Sequence, residues 1–286
     1  MKKKILILGS EGQIGSYLLL YLKQKGHNVF GYDIVNSSKQ DLRLKNNKYF
    51  IKLIKKTDFI FFLAFDVGGS RYLKIYQDNY KFISNNILIM ENTFSLIKKY
   101  KKKFIFASSQ MSNMNFSNYG ILKKVGESYT KALGGITVKL WNVYGVEKDL
   151  NKSHVITDFI TNGFTSKKVK MLTNGKEERN FLYVKDCCEA LELIMKNFYK
   201  FFKKNQLIDL ASNRSHSILH TAKIIKNLFL KNGKNVKYVP SNEIDTVQLD
   251  SKNKFNKFIF NFWKPKFSLE EGIKEIFKYY TKLYLK

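Results

Sequence analysis

Ile5-Leu6-Ile7-Leu8-Gly9-Ser10-Glu11-Gly12-Gln13-Ile14-Gly15 is the stretch on which the fold of this chain turns. Four apolar residues without polar alternation read as a strand buried on both faces, the habit of strands in a parallel sheet. Three glycines follow at GxxGxxG spacing, and Gln13 opens a run with helical spacing of apolar residues. In such a strand-to-helix turn, Gly9 allows the tight bend, Gly12 lets backbone approach a phosphate closely, and Gly15 lets helix and strand pack.

The same alternation repeats outward. Buried strands are expected over residues 3–8, 28–32, 58–63, 103–107 and 136–140, and helices over 13–25, 82–99 and 119–133. Successive βα units make a parallel, doubly wound α/β sheet the economical architecture. Beyond Trp141 the rhythm loosens, with helices expected over 155–164, 185–198, 217–230 and 268–283. The expected division is a first domain over 1–145 and a smaller lobe over 146–286, with the strand-like 206–211 returning to the main sheet.

Composition narrows the classes. The formal charge is +28, yet arginine stands only at Arg43, Arg71, Arg179 and Arg214, while lysine is spread over nearly every segment. No arginine-rich tract, aromatic ribonucleoprotein motif or zinc-finger spacing accompanies that charge, so no nucleic-acid partner is expected. The charge instead favours an anionic small substrate. The two cysteines, Cys187 and Cys188, are neighbours, which suits neither a disulfide nor a closed zinc site. They are expected to open a helix capped by Asp186, in a reducing, cytoplasmic setting and with no metal. The longest apolar run, 59–65, is far below the roughly 20 residues that span a bilayer. The lysines at 2–4 and the short run after them fall short of a signal peptide.

Asp33 ends the second strand, where a carboxylate binds both ribose hydroxyls of a dinucleotide and so favours NAD over NADP. Asp41 and Leu42 are then placed to meet adenine. Tyr119 and Lys123 lie one helical turn apart and face one site. A free tyrosine titrates near pH 10, so a tyrosine base needs a neighbouring cation to favour phenolate, and Lys123 supplies it. Ser109 stands at the carboxyl edge of the fourth strand, where open α/β sheets put their sites.

Taken in order, these segments resemble the NAD-dependent epimerase/dehydratase family of extended short-chain dehydrogenases, nearly end to end. The resemblance implies a Rossmann-type doubly wound sheet with a smaller C-terminal substrate-binding lobe, NAD as cofactor and a nucleotide-diphosphate sugar as substrate. Cofactor contacts carried over are Gly9, Glu11, Gly12, Gln13, Ile14, Asp33, Asp41, Leu42, Leu63, Ala64, Asn86, Tyr119 and Lys123. Asn142, in Trp141-Asn142-Val143-Tyr144-Gly145, resembles the family's substrate segment, although Glu147 follows where proline is usual. Arg179 opens Arg179-Asn180-Phe181-Leu182-Tyr183-Val184-Lys185-Asp186, resembling a stretch whose arginine meets the substrate diphosphate. Val67-Gly68-Gly69-Ser70 is similar to the GDP-sugar branch, so Gly69 and Ser70 are candidate hexose contacts; His154 is a candidate on the loop that closes over the nucleotide. The segment Trp263 to Gly272 is also characteristic, read here as a loop and an N-capped helix.

The implied mechanism has Tyr119 remove the proton of a sugar 4-hydroxyl while hydride leaves C4. Gln110 and Met111, candidate substrate contacts, stand where a 4,6-dehydratase carries an Asp-Glu pair, and Met111 where a C3 or C5 epimerase carries cysteine. These departures argue for chemistry confined to C4: epimerisation, or oxidation and reduction, of a GDP-hexose or GDP-heptose in a glycan-precursor pathway. Only nine residues separate Ser109 from Tyr119, leaving room for an extended sugar. The helices near 82–99 and 119–133 resemble the family's dimer interface, so a homodimer is expected. Dehydration, C3/C5 epimerisation and a non-catalytic dinucleotide sensor are the alternatives.

Overall fold

In a computed structural model of the chain, residues 2–248 and 254–285 are described. The order of elements begins β1 (Lys4–Leu8), α1 (Gln13–Gln24), β2 (Asn28–Tyr32), α2 (Lys48–Lys56), β3 (Phe59–Phe62), α3 (Ser70–Tyr76), α4 (Tyr80–Lys99), β4 (Lys103–Ser109), α5 (Asn118–Ala132) and β5 (Ile136–Leu140). It continues through β6 (Asn142–Tyr144), α6 (Val155–Thr165), β7 (Lys168–Lys170), β8 (Glu178–Arg179), β9 (Phe181–Tyr183), α7 (Val184–Lys196) and α8 (Phe198–Lys204). It closes with β10 (Leu207–Leu210), β11 (His216–Ser217), α9 (Ile218–Lys231), β12 (Lys237–Val239) and α10 (Leu269–Tyr284).

Six strands form one parallel sheet in the order β10-β5-β4-β3-β1-β2. Because side chains alternate along a strand, Ile5 and Ile7 join one apolar cluster with Leu18 and Leu22 of α1 and Leu191 of α7. Leu6 and Leu8 join another, with Phe50 of α2, Phe94 of α4 and Leu122 of α5. Continuous apolar strands thus serve two helical layers, as the doubly wound reading requires. The chain leaves β1 for β2 on one side and, from β3, winds outward on the other. A crevice opens at that switch point, beyond the carboxyl ends of β1 and β3.

The remaining elements build the region on the crevice's far side. It contains the pairs β6-β9, β7-β12 and β8-β11, under α6, α9 and α10. β10 returns beside β5, and α7 packs on α1, where the Tyr21 hydroxyl donates to Glu192 at 2.9 Å. One expectation is corrected here. Asp186 does not cap α7: the helix starts at Val184, and the Asp186 carboxylate instead accepts the N–H groups of Lys266 at 3.1 Å and Phe267 at 3.0 Å. It pins the 263–268 loop, ahead of the capping box that Ser268 and Glu271 form on α10.

Candidate active site

The crevice is a cleft of about 660 Å³. Gly9, at φ +85°, begins its floor, and a Cβ there would stand 2.8 Å from the Ala64 backbone nitrogen. At Gly15 a Cβ would stand 1.9 Å from the Gly9 carbonyl oxygen, so helix, turn and the chain after β3 touch backbone to backbone. At Gly12 the nearest atom would be 3.4 Å away, an ordinary contact, which leaves that side of the turn open. Such a turn fits a dinucleotide pyrophosphate. Asp33 is tied into it: its carboxylate accepts the N–H of Glu11 at 2.9 Å and of Val35 at 3.0 Å.

Ser109 ends β4, and Tyr119 and Lys123 lie on α5 across the cleft floor; all three line the cleft. Burial pushes the Tyr119 phenol up to about 12, against a hydrogen bond with Ser109 that favours the phenolate. Burial pushes the Lys123 ammonium down to about 7, opposed by the Glu127 carboxylate. Lys123 Nζ donates to the Ala107 carbonyl at 2.7 Å and lies 3.7 Å from the centre of the Phe65 ring, where the face of the ring favours a cation. Tyr119 meets the same ring edge-on at 5.8 Å.

A polar chain runs along one wall. Arg43 forks onto Asp41, with Nε at 2.9 Å, and reaches Asn85 at 3.0 Å; Asn85 donates to Asp66 at 2.9 Å. Asp66 also accepts from Tyr72 and Lys152, each at 2.8 Å. Its backbone is clasped by Asn86, which is wholly buried. Lys152 belongs to a strap over 146–153 whose other anchor is Lys148, 3.0 Å from Glu11 on the glycine turn.

At the strap's end, Glu147 and His154 form a close pair, Oε1 to Nδ1 at 2.6 Å, and Glu147 Oε2 accepts the His154 backbone N–H at 2.9 Å. Burial pushes the Glu147 carboxyl up, but the His154 charge and hydrogen bonds outweigh it and hold the group below its ordinary value. Burial likewise pushes the imidazole down, and the Glu147 carboxylate leaves it above its ordinary value. Nearby, Asp158 accepts from Ser153 and from Arg71. Arg179 lines the cleft already paired with the buried Asp245.

The expected residues therefore divide. Gly9, Glu11, Gly12, Gln13, Ile14, Asp33, Asp41, Leu42, Leu63, Ala64, Ser70, Ser109, Met111, Tyr119, Lys123, Asn142, His154 and Arg179 line one cleft. Gly69, Gln110 and Asn86 do not: a Cβ on Gly69 would meet the Ser153 carbonyl at 2.3 Å, Gln110 is buried, and Asn86 holds backbone. Sequence reasoning passed over Arg43, Phe65, Asp66 and Asp245 at the cleft. Arg43, Phe65 and Asp66 follow a recognised segment by a residue or two and Asp245 follows none, and the partners of Phe65, Asp66 and Asp245 are far away in the chain. Among the described residues, no cluster of three His, Cys, Asp or Glu could hold a metal ion, and no helix is long and apolar enough to cross a membrane.

Comparison with known proteins agrees with this architecture. The NAD dependent epimerase/dehydratase family model matches residues 5–208. UDP-N-acetyl-alpha-D-glucosaminuronate decarboxylase of Bacillus cytotoxicus is 26% identical, over 99% of this chain and 99% of that protein. A GDP-6-OMe-4-keto-L-xylo-heptose reductase from C. jejuni superposes with a TM-score of 0.82 at 21% identity, covering 99% of this chain and 98% of that one. UDP-glucose 4-epimerase of Thermotoga maritima superposes at 0.78 with 20% identity, covering 99% and 100%. At these identities the two structures speak for the fold alone.

Proposed function

The chain belongs to the NAD dependent epimerase/dehydratase family, an NAD-using group whose members modify nucleotide sugars, and on that footing we propose that it oxidises or reduces its sugar at C4. The observation that carries the reading is the composition of the cleft floor. Ser109, Tyr119 and Lys123 line it together with the glycine turn, while Met111 occupies the next wall position and has no proton to exchange.

The turn Gly9 to Ile14 would hold the NAD pyrophosphate, Asp33 and Asp41 the adenosine end, and Lys123 the nicotinamide ribose. NAD, when bound, supplies the acceptor for the hydride leaving C4. Ser109 orients the sugar oxygen, and Tyr119 takes its proton, leaving a C4 ketone. A phenol buried in a dry site ionises poorly, so this step depends on the neighbouring Lys123 charge and the Ser109 hydrogen bond. On the substrate side, Ser70, Asn142, His154 and Arg179 would meet sugar and diphosphate. Arg179 is already paired with Asp245, as Arg71 is with Asp158 and Lys152 with Asp66, so these cations and Lys170 around the cleft share the attraction for phosphate. The Val67-Gly68-Gly69-Ser70 segment supports a GDP-sugar, hexose or heptose, and the exposed apolar face of α4 and α5 supports a homodimer.

The whole-length likeness to a decarboxylase favours a second reading. A C4 ketone beside a C5 carboxylate is a β-keto acid, which loses carbon dioxide without a side-chain base at C5, so Met111 is no obstacle.

Incubation with NAD and a panel of GDP-, UDP- and CDP-sugars, uronates included, in heavy water distinguishes these by mass spectrometry and NMR. Loss of two hydrogens, or a C4 epimer without solvent deuterium, is expected. Loss of carbon dioxide, with solvent deuterium taken up at C5 as the resulting enolate is protonated, selects the second reading; loss of water, or deuterium at C3 or C5 without loss of carbon dioxide, overturns both. Binding without turnover across the panel would mark a sensor. Tyr119→Phe should lower turnover roughly 10²-fold or more with NAD affinity retained, and near-normal activity would sink the assigned base.

A further inference from the structure

Behind the cleft floor lies a buried ionic cluster that the reaction just described does not use. Glu127, on α5 one turn beyond Lys123, is 7% exposed. Its Oε1 accepts the Ser108 hydroxyl at 2.7 Å and lies 3.5 Å from Lys139 Nζ, and its Oε2 accepts from Lys124 at 3.1 Å. Ser108 on β4, Lys139 on β5 and Asp209 on β10 are cross-strand partners in one row, and Lys139 and Asp209 are themselves 4% and 8% exposed. Lys139 also donates to Asn113, in the turn after Ser109, at 2.6 Å. A row of charges crossing a sheet interior is costly unless each is matched, and Glu127 is the group from the helix that matches it.

We propose that Glu127 is a positioning residue for the Tyr119–Lys123 pair, holding the buried Lys123 as an ammonium and tying α5 to the strand that ends in Ser109. Residues at i and i+4 share a helix face, so the carboxylate sits on the same side of α5 as the lysine while the Phe65 ring covers Lys123 from the cleft. The charged and titratable groups beside Lys123 on α5 are Tyr119, Lys124 and Glu127, and Lys139 on β5 and Asp209 on β10 lie on the Glu127 side. Of these, Glu127 is the carboxylate whose field opposes the loss of the proton that burial favours. The assignment rests on Tyr119 acting as the base, because the Lys123 charge matters only if a phenolate must form.

Trace acetylation with acetic anhydride over a pH series, read at the Lys123 peptide by mass spectrometry, measures how far that amine holds its proton. The wild-type midpoint is expected near 7. Glu127→Gln keeps the Ser108 hydrogen bond and removes the charge; a downward shift of about one unit is expected, leaving about fivefold less ammonium at pH 7. Lys139→Met removes the cation that partly neutralises Glu127, and the midpoint should rise. Loosened packing would not move the two variants in opposite directions, and either one tests the idea if the other fails to fold. An unchanged midpoint in a folded variant overturns it. Because labelling needs no substrate, an active Tyr119→Phe enzyme would remove the functional reading while leaving this measurement to stand or fall separately.

Discussion

Gly12 and Gly15 stand three residues apart on one turn and carry opposite constraints. A methyl group at Gly15 would overlap the Gly9 carbonyl at 1.9 Å, whereas at Gly12, which lines the cleft, it would make an ordinary contact at 3.4 Å. Gly15→Ala should therefore cost more than about 2 kcal/mol in urea unfolding. Gly12→Ala should stay within about 0.5 kcal/mol of wild type yet bind NAD more weakly in a fluorescence titration. Equal effects of the two on stability would contradict the packing described. The Glu147–His154 pair makes a pH-dependent contribution whose sign follows from its shifts. The raised imidazole contributes stability fully present below its unfolded pKa, about 6.5, and lost as pH rises through its folded value. The lowered carboxyl contributes stability present above about 4.3 and lost as pH falls through its folded value. The destabilisation caused by Glu147→Gln should accordingly be larger at about pH 6 than at about pH 8.5; a flat difference between those conditions would count against the pair.

At the scale of elements, α5 carries two stripes. Tyr119, Lys123 and Glu127 face inward, while Ile121, Val125 and Tyr129 are 44%, 41% and 39% exposed, beside Ile87 and Leu88 of α4 at 49% and 43%. An apolar stripe of this length on paired helices suits burial against a second copy. Val125→Glu should shift the protein to monomers in light scattering at micromolar concentration, with NAD still bound; a wild type that is already monomeric would remove the dimer reading. The long, strongly patterned elements were legible in sequence to within a few residues: β1, β2, β5 and α5 follow from apolar runs and helical spacing. The short helices α2, α3 and α8 were not. The face of α2 that matters reduces to Phe50 and Ile54 among lysines, and α3 is seven residues long, so their helicity depends on the sheet they cover.

For the whole molecule, we propose the division near residue 145 as one of binding role rather than of folding. β10 pairs with β5, and α7 and α8 supply Leu191, Phe198 and Phe201 to the core that Ile5, Phe59 and Val138 share. A 1–145 fragment would leave that face of the sheet uncovered, and no cooperative thermal transition is expected from it by circular dichroism; a sharp transition would show that the first region folds alone. Local sequence determined the glycine turn, the strand ends bearing Asp33 and Ser109, and the Tyr119–Lys123 spacing, because each depends on residues within one turn or one strand. The tertiary structure alone decided that Asp245 neutralises Arg179, that Asp186 holds the 263–268 loop instead of capping α7, and that Lys139 meets Glu127 on the helix carrying Lys123 and stands beside Asp209 of β10. Those pairings join residues 66, about 80, 12 and 70 positions apart, and a charge shows no partner in its own neighbourhood when the sheet order is what brings the partner to it.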